Sequence, residues 1–331
     1  MIVNRQPLLS RRGLLHGAAA LGAAGYLAGA LQPTAAFAKA PMASAQAPYW
    51  YRFKVGALEV TMVSDGILPL GEPSGSFLGV TKDEVGKMLT DNFLPADNVV
   101  LEQNIPVVNT GNQLVMFDSG MGTSKMFGPT TGRLLKSLAE AGIDPANIDA
   151  FVATHAHIDH VGGLVGEDGK PLFPNAKVYL SQLDFDYWTD ESNQKANKDF
   201  VAHARKNLLP YRDRIVFYKD GEEFLPGIQA MHAPGHTVGH TIFMLTSEGK
   251  SMAYIGDLTH HQVILMERPR IQFAYDTDPA QSAETRVRNL DMLAAQKIPL
   301  IAYHFPWPGI GHVAKQGDGF RFFASPMNMN L

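Results

Sequence analysis

The chain has 331 residues, 45% of them hydrophobic and 18% charged, with a formal net charge of -4 and a pI near 6.3. This balance excludes disordered and collagen-like chains and supplies apolar side chains for one large core or two modest ones. No Lys/Arg cluster is present to track a phosphate backbone, and the absence of cysteine removes disulfides, zinc thiolates and a cysteine nucleophile, so any metal must rest on His, Asp or Glu.

In chain order, Ser10-Arg11-Arg12-Gly13-Leu14-Leu15 opens a twin-arginine export signal, and Ala36-Phe37-Ala38 supplies its A-x-A cleavage site. The apolar run between them is rich in Gly and Ala and carries His16, which favours a signal over a membrane anchor. The expected organisation is a signal peptide over 1–38, a small-residue linker over 39–50 and one domain over 51–331, in a protein that is periplasmic or secreted.

Residues 51–66 read as a β-hairpin broken at Gly56-Ala57, and 104–120 as a second one turning at Thr110-Gly111-Asn112. A Pro- and Gly-containing loop around 68–80 and a short helix near 82–89 lie between them. Residues 131–141 give an amphipathic helix stopped by Gly142. The apolar run 149–153 is a buried strand. Further on, AKVYLS is a strand and 197–209 a helix, and IVFYKDGEEFLPGIQAMHA is two strands turning near Asp220-Gly221. HTIFMLTSEGKSMAYIGD is a hairpin turning at Glu248-Gly249, 280–296 is a helix, and PLIAYH is the final strand. Strands in runs with interspersed helices indicate an α/β sandwich of two similar layers.

THAHIDHVGG (154–163) places three histidines and an aspartate in six positions directly after a buried strand. In an extended loop His155 and His157 share a side and can hold one metal, while Asp159 and His160 face another side and can hold a second. Gly162 and Gly163 let the backbone turn tightly toward the site. A catalytic metal needs about three protein ligands and an open position, so other segments must contribute. His236 in HAPGHTVGH, Asp257 in YIGDLTH and His304 in LIAYHFPWPG each end an apparent strand and qualify together.

The set HAHIDH, PGHTVGH, GD and a strand-end His resembles the metallo-β-lactamase superfamily, whose fold is a four-layer αβ/βα sandwich with a two-metal site on one edge. The resemblance implies that His155, His157 and His236 bind the first metal, that Asp159, His160 and His304 bind the second, and that Asp257 bridges them. The aspartate at the GD position is shared with the superfamily's lactonase, glyoxalase-like and phosphotriesterase branches and not with its β-lactamases. YRFKVGALEVTMVSDG, MFGPTTGRL, FPNAKVY and FPWPGIGHVAKQGDGFRF look like methyl parathion hydrolase and its aryl-lactone-hydrolysing relatives, although GDLTHH and 262–278 depart from that group.

The resemblance further implies attack on a lactone, aryl ester or phosphotriester by a metal-bridging hydroxide, with Asp159 orienting the hydroxide. Two divalent cations are expected, zinc first, with manganese, cobalt or iron also suited to His and carboxylate ligands. Phe127, Trp188 and Phe200 match the aromatic positions of the family's substrate pocket, and Phe305 and Trp307 flank His304 at its rim. Asp118 is expected to brace the metal loops and His240 to hydrogen-bond behind the ligands. His260 and His261 are read as surface or bracing residues, with a place in the pocket left open. The expected partner is a small molecule, with no nucleic acid and no stable membrane anchor, and monomer and homodimer are both open. An acyl-homoserine-lactone lactonase, a glyoxalase-like thioesterase and a metal-binding protein without turnover are the alternatives.

Overall fold

A computed structural model describes residues 42–43 and 46–328. The export signal expected over 1–38 lies outside the described residues. From Ala47 onward the chain forms one compact unit, and its first strand already begins at Trp50.

The chain builds one sheet, then the other. The first half contains β1 (Trp50–Val55), β2 (Leu58–Gly71), β3 (Phe77–Leu78), α1 (Lys82–Asp91), β4 (Val99–Asn109), β5 (Leu114–Phe117) and α2 (Leu134–Glu140). It continues with β6 (Ala150–Val152), α3 (Ile158–Val161), β7 (Lys177–Ser181), α4 (Gln182–Thr189), α5 (Gln194–Leu208) and β8 (Ile215–Tyr218). The second half has β9 (Glu223–Leu225), β10 (Ile228–His232), β11 (Thr241–Ser247), β12 (Lys250–Tyr254), α6 (Ile264–Glu267), β13 (Gln272–Phe273), α7 (Pro279–Gln296), β14 (Leu300–Ile301), β15 (Ile310–Gln316) and β16 (Gly319–Ala324).

The strands form two seven-stranded sheets, ordered β1-β2-β4-β5-β6-β7-β8 and β16-β15-β14-β12-β11-β10-β9, with β3 and β13 paired separately. Their inner faces share one apolar core in which Phe117 of β5 meets Phe243 of β11 and Tyr254 of β12 at ring separations of 5.3 and 5.4 Å. α7 covers the outer face of the second sheet through Leu290 and Leu293, while α2 and α4 pack on β2 and β7 of the first. The result is the expected αβ/βα sandwich.

Both early hairpins form and turn where expected, with Val55 opposite Leu58 and Asn109 opposite Leu114. The short helix α1 owes its start to a capping box between Thr81 and Glu84. Other expectations need correction. The segment expected as a loop around 68–80 continues β2 through Gly71 and then pairs β3 with β13. IVFYKDGEEFLPGIQAMHA holds three strands, and its turn near Gly221 is a crossing between sheets: β8 pairs parallel with β7, whereas β9 joins β10. PLIAYH is not the final strand, because β15 and β16 complete the second sheet's edge. The helix α4, which carries Trp188, was not expected at all.

Candidate metal centre

The site forms where the C-terminal ends of β6, β12 and β14 open on one edge of the sandwich. β6 leads through a bend at Thr154 into His155 and His157, but Asp159 and His160 stand on a single helical turn, α3, with His157 as its extended N-cap, in place of the continuous loop expected from sequence. Neither Gly162 nor Gly163 has a positive φ. Their requirement is space: a Cβ at Gly162 would lie 2.3 Å from the carbonyl oxygen of Ile158, and one at Gly163 would lie 2.1 Å from that of Ser119.

The structure brings all seven expected ligand residues together. Side-chain ligand atoms of His155, His157 and His236 lie within 4.8 Å of one another, as do those of Asp159, His160, Asp257 and His304. Asp257 is the hub. Its carboxylate lies 3.7 Å from Nε2 of His155, 3.2 Å from those of His160 and His236, and 3.3 Å from that of His304. Asp159 reaches the His160 and His304 Nε2 atoms at 3.5 and 3.4 Å.

Four of the five rings are aimed by their far nitrogen, while His157 packs edgewise between Trp188 and Phe200. Nδ1 of His155 meets the hydroxyl of Thr154 at 3.0 Å, Nδ1 of His160 meets Asp118 Oδ2 at 3.0 Å, and Nδ1 of His236 meets Asp276 Oδ1 at 2.8 Å. His304 uses Nδ1 to donate to the Glu102 carbonyl at 2.8 Å. Each hydrogen bond fixes a ring and directs Nε2 inward. The inward atoms lack satisfactory partners of their own: Nε2 of His236 and His155 face each other at 3.1 Å, and buried His160 Nε2 and Asp257 Oδ1 stand 3.2 Å apart without hydrogen-bond geometry. Nitrogen and carboxylate donors converging in this way fit divalent cations better than they fit one another.

Burial pushes the pKa of His155 and His157 well below the ordinary value and keeps these imidazoles neutral. Burial opposes charge on His160 too, but the carboxylates of Asp257, Asp159 and Asp118 together raise its pKa well above the usual range. Burial likewise opposes ionisation of Asp257, and His160, His304 and His260 outweigh it, holding the carboxyl well below the usual range.

Asp118, expected as a brace, accepts from the Thr154 amide at 2.8 Å and the Tyr254 hydroxyl at 2.6 Å besides its contact with His160. His240 donates from Nδ1 to the Ala233 carbonyl at 3.0 Å, leaving Nε2 to accept the amide of Asp257 at 3.0 Å. Two further carboxylates brace the site. Asp184 of α4 accepts the amides of Ala156 and Gly239, both at 2.7 Å, and so ties the His155 loop to the His236 loop. Asp276 orients His236. Neither has a sequence signal, because their partners are remote in the chain.

His260 is a further addition. Its Nε2 lies 3.1 Å from Asp257 Oδ2, its ring stacks on Phe273 at 3.9 Å, and burial lowers its pKa to about 4. It forms a third cluster with His236 and Asp257. His261 points away and accepts the amides of Val263 and Ile264.

In front of the ligands is a cavity of about 30 Å³, walled by Leu68, Leu101, Phe127, Phe200, Phe273 and Tyr275. A second chamber of about 310 Å³ shares His157, Phe200 and Tyr275 with it and adds Trp188, Asn197 and Thr277. Phe127 lines the first of these and Phe200 both. Trp188, only 2% exposed, belongs to the main core and presents its ring edgewise to His157 at 4.9 Å, reaching the second chamber but not the first. Phe305 is a correction. The turn that follows β14 sends His304 into the site and Phe305 away from it, onto Phe322 at 4.9 Å in the outer core of the second sheet, and Phe305 lines neither chamber. Trp307 packs on Tyr49 at 5.7 Å, likewise away from both.

No helix among the described residues is long and apolar enough to cross a membrane. Comparison with known proteins gives consistent neighbours. AidC, a dizinc quorum-quenching lactonase solved with a product, is 29% identical, with a TM-score of 0.80 covering 85% of this chain and 98% of AidC. The hydrolase AbOPH of the beta-lactamase superfamily is also 29% identical at a TM-score of 0.80, covering 86% and 100%. An N-acyl homoserine lactonase of Bacillus thuringiensis is 22% identical over 193 residues, 58% of this chain and 66% of that protein. An RNase J-like protein of Methanocaldococcus jannaschii is 28% identical over 158 residues, 46% of this chain and 32% of its own length. The chain thus spans between about a third and two thirds of these curated relatives. The model of the metallo-beta-lactamase superfamily matches residues 99–303, a stretch that begins at β4 and ends beside His304, and the chain belongs to that superfamily.

Proposed function

We propose that this protein is a two-metal hydrolase that opens lactones or cleaves aryl esters, with phosphotriester hydrolysis of the methyl parathion type as a second activity of the same site. The observation that carries the reading is the convergence of imidazole Nε2 atoms on the Asp257 carboxylate behind an aromatic, apolar entrance. In this reading His155, His157 and His236 hold one cation, Asp159, His160 and His304 hold the other, and Asp257 joins them. Zinc suits the donor set best, and manganese, cobalt and iron remain compatible with it.

When bound, two such cations lower the pKa of water and polarise the carbonyl or phosphoryl oxygen under attack. The chain's residues do the rest. Asp159 faces the cavity and orients the attacking water, and Phe127, Phe200 and Phe273 exclude bulk solvent and receive the apolar part of the substrate. A cavity of about 30 Å³ holds roughly two waters, so a substrate must displace them and use the adjoining chamber for its bulk.

An acyl-homoserine lactone is the favoured lactone, because the similarity to AidC extends over nearly its whole chain. The acidic pI and the missing basic surface speak against a nucleic-acid substrate despite the RNase J-like relative. Export by the twin-arginine route belongs to the same proposal, and fractionation of cells expressing the full chain tests it.

The decisive experiment compares kcat/KM of the metal-loaded protein on an aryl lactone, an acyl-homoserine lactone and methyl parathion. A lead of about a hundredfold, some 2.7 kcal/mol of transition-state binding, for either lactone supports the lactonase reading. A lead for methyl parathion makes the phosphotriester the principal substrate. Inactivity on all three sinks the proposal and favours a thioesterase or a metal-binding protein without turnover.

A further inference from the structure

Arg286 stands in the middle of α7 with no exposed surface. Burial lowers its pKa to about 10, which leaves it cationic at neutral pH. A buried guanidinium is costly unless its donors are used, and here they are spent mainly on backbone. Nε donates to the Leu258 carbonyl at 3.0 Å, and Nη1 donates to those of Pro269 and Ile271 at 2.8 and 2.9 Å. Nη2 reaches the Ser282 hydroxyl at 3.3 Å and lies 3.7 Å from Asp276 Oδ2.

All three carbonyls belong to the segment 257–276, and both ends of that segment touch the metal centre. Asp257 is the hub of the cluster, and Asp276 Oδ1 holds His236 Nδ1 at 2.8 Å. Asp276 Oδ2 is buried without a hydrogen bond, and Arg286 supplies the cation beside it. The chain just beyond is stitched to the same ligand loop, with Thr277 N donating to His236 O at 2.8 Å and Asp278 N to Gly235 O at 2.9 Å.

We propose that Arg286 is a positioning residue of the metal centre: one guanidinium gathers the 257–276 segment, setting the reach of Asp257 at one end and, through Asp276, the orientation of His236 at the other. The inference rests on the two-metal reading of the site. Arg286 touches neither ligand directly, so its effect must travel through the loop carbonyls and the Asp276 carboxylate. Lysine keeps the charge but loses the planar fork that reaches three carbonyls at once.

The test is titration of the metal-free protein with zinc against a competing chelator, together with the visible spectrum of the cobalt-substituted form and thermal unfolding of both. D276N should weaken binding of the ion that His236 holds by about ten- to a hundredfold, the scale of groups that orient metal ligands; R286K should weaken that ion at least as much, because it also acts on Asp257, and both variants should shift the cobalt spectrum. Because both act on His236 through Asp276, the double variant should fall short of the product of the two single effects. R286K that loses thermal stability but keeps both affinities and the wild-type cobalt spectrum overturns the assignment and makes Arg286 a fold staple. D276N carries the same test if R286K does not fold, with unchanged affinities again overturning it. Wild-type protein that takes up no metal removes the two-metal reading and this inference together, whereas a two-ion wild type with unaltered variants removes this inference alone.

Discussion

The HAHIDH loop and the 257–276 segment deliver ligands to the same point, yet opposite charges hold them. Around the HAHIDH loop three buried backbone amides are met by carboxylates: Asp118 takes Thr154 N, and Asp184 takes Ala156 N and Gly239 N. In the 257–276 segment the buried groups converging on one place are carbonyls, and a guanidinium supplies them. Buried backbone must be paired, so the sign of the bracing residue follows from which backbone group the local turn leaves inward. The two braces also differ in reach. Asp184 couples one ligand loop to another, whereas Arg286 gathers a single long segment.

The largest effect should come from removing what the two regions share. Asp257→Ala is expected to lower bound metal from two ions toward one and to cut turnover by orders of magnitude, checked by elemental analysis beside steady-state kinetics. Full activity with two ions retained would refute the bridging role. Breaking the carboxylate side alone comes next. Asp184→Asn keeps the shape but exchanges an acceptor for a donor, and a ten- to hundredfold loss in metal affinity or kcat is expected. Unchanged affinity for the ion that His155 and His236 share would show that Asp184 does not couple their two loops.

Trp188 and Phe200 sharpen the contrast between scaffold and entrance. Trp188→Ala should cost about 3–5 kcal/mol of stability, as for other buried aromatics, read by denaturant unfolding, because Trp188 is a core residue behind His157. Phe200→Ala, at a half-buried position lining both chambers, should instead raise KM for aryl substrates several-fold with little change in unfolding midpoint. Equal stability losses in the two variants would erase the distinction.

The smallest expected effect concerns pH. Burial depresses the pKa of His261 to about 4, so the folded protein resists a proton that the unfolded chain accepts below about 6.5. Its contribution to stability is therefore complete above that pH and is lost progressively toward pH 4, by up to about 3 kcal/mol. Unfolding of the metal-free protein at pH 7 and pH 4.5 should show a shallower pH slope for His261→Asn than for wild type. An unchanged slope would exclude His261 as a contributor.

The ligands were legible because their chemistry is concentrated: HAHIDH is contiguous, and His236, Asp257 and His304 each close an apolar run. The sandwich was legible from hairpins with explicit turn residues. Asp184, Asp276 and Arg286 were not, since what identifies them is contact with atoms 15 to 55 residues away. Gly221 looked like a hairpin turn because a crossing between sheets uses the same turn chemistry as a reversal within one. Phe305 was misplaced by adjacency in sequence: beyond β14 the chain turns at His304 and sends the two neighbouring rings different ways, one onto His260 and the other onto Phe322. His260 was visible as a histidine, but nothing in GDLTHH tells which of its two rings turns inward.

The close backbone contacts behind the HAHIDH loop set where this protein can change. A side chain at Gly122 would strike the carbonyl of Gly162 at 2.1 Å, and one at Gly163 that of Ser119 at the same distance, so the rear of the site has no tolerance for added volume. The front has ample tolerance: Phe127, Phe200 and Tyr275 border open space and carry none of the ligand-orienting hydrogen bonds. Descendants of this sequence, natural or selected in the laboratory, can therefore exchange one substrate range for another by repainting the entrance, while the chemistry behind it is inherited intact.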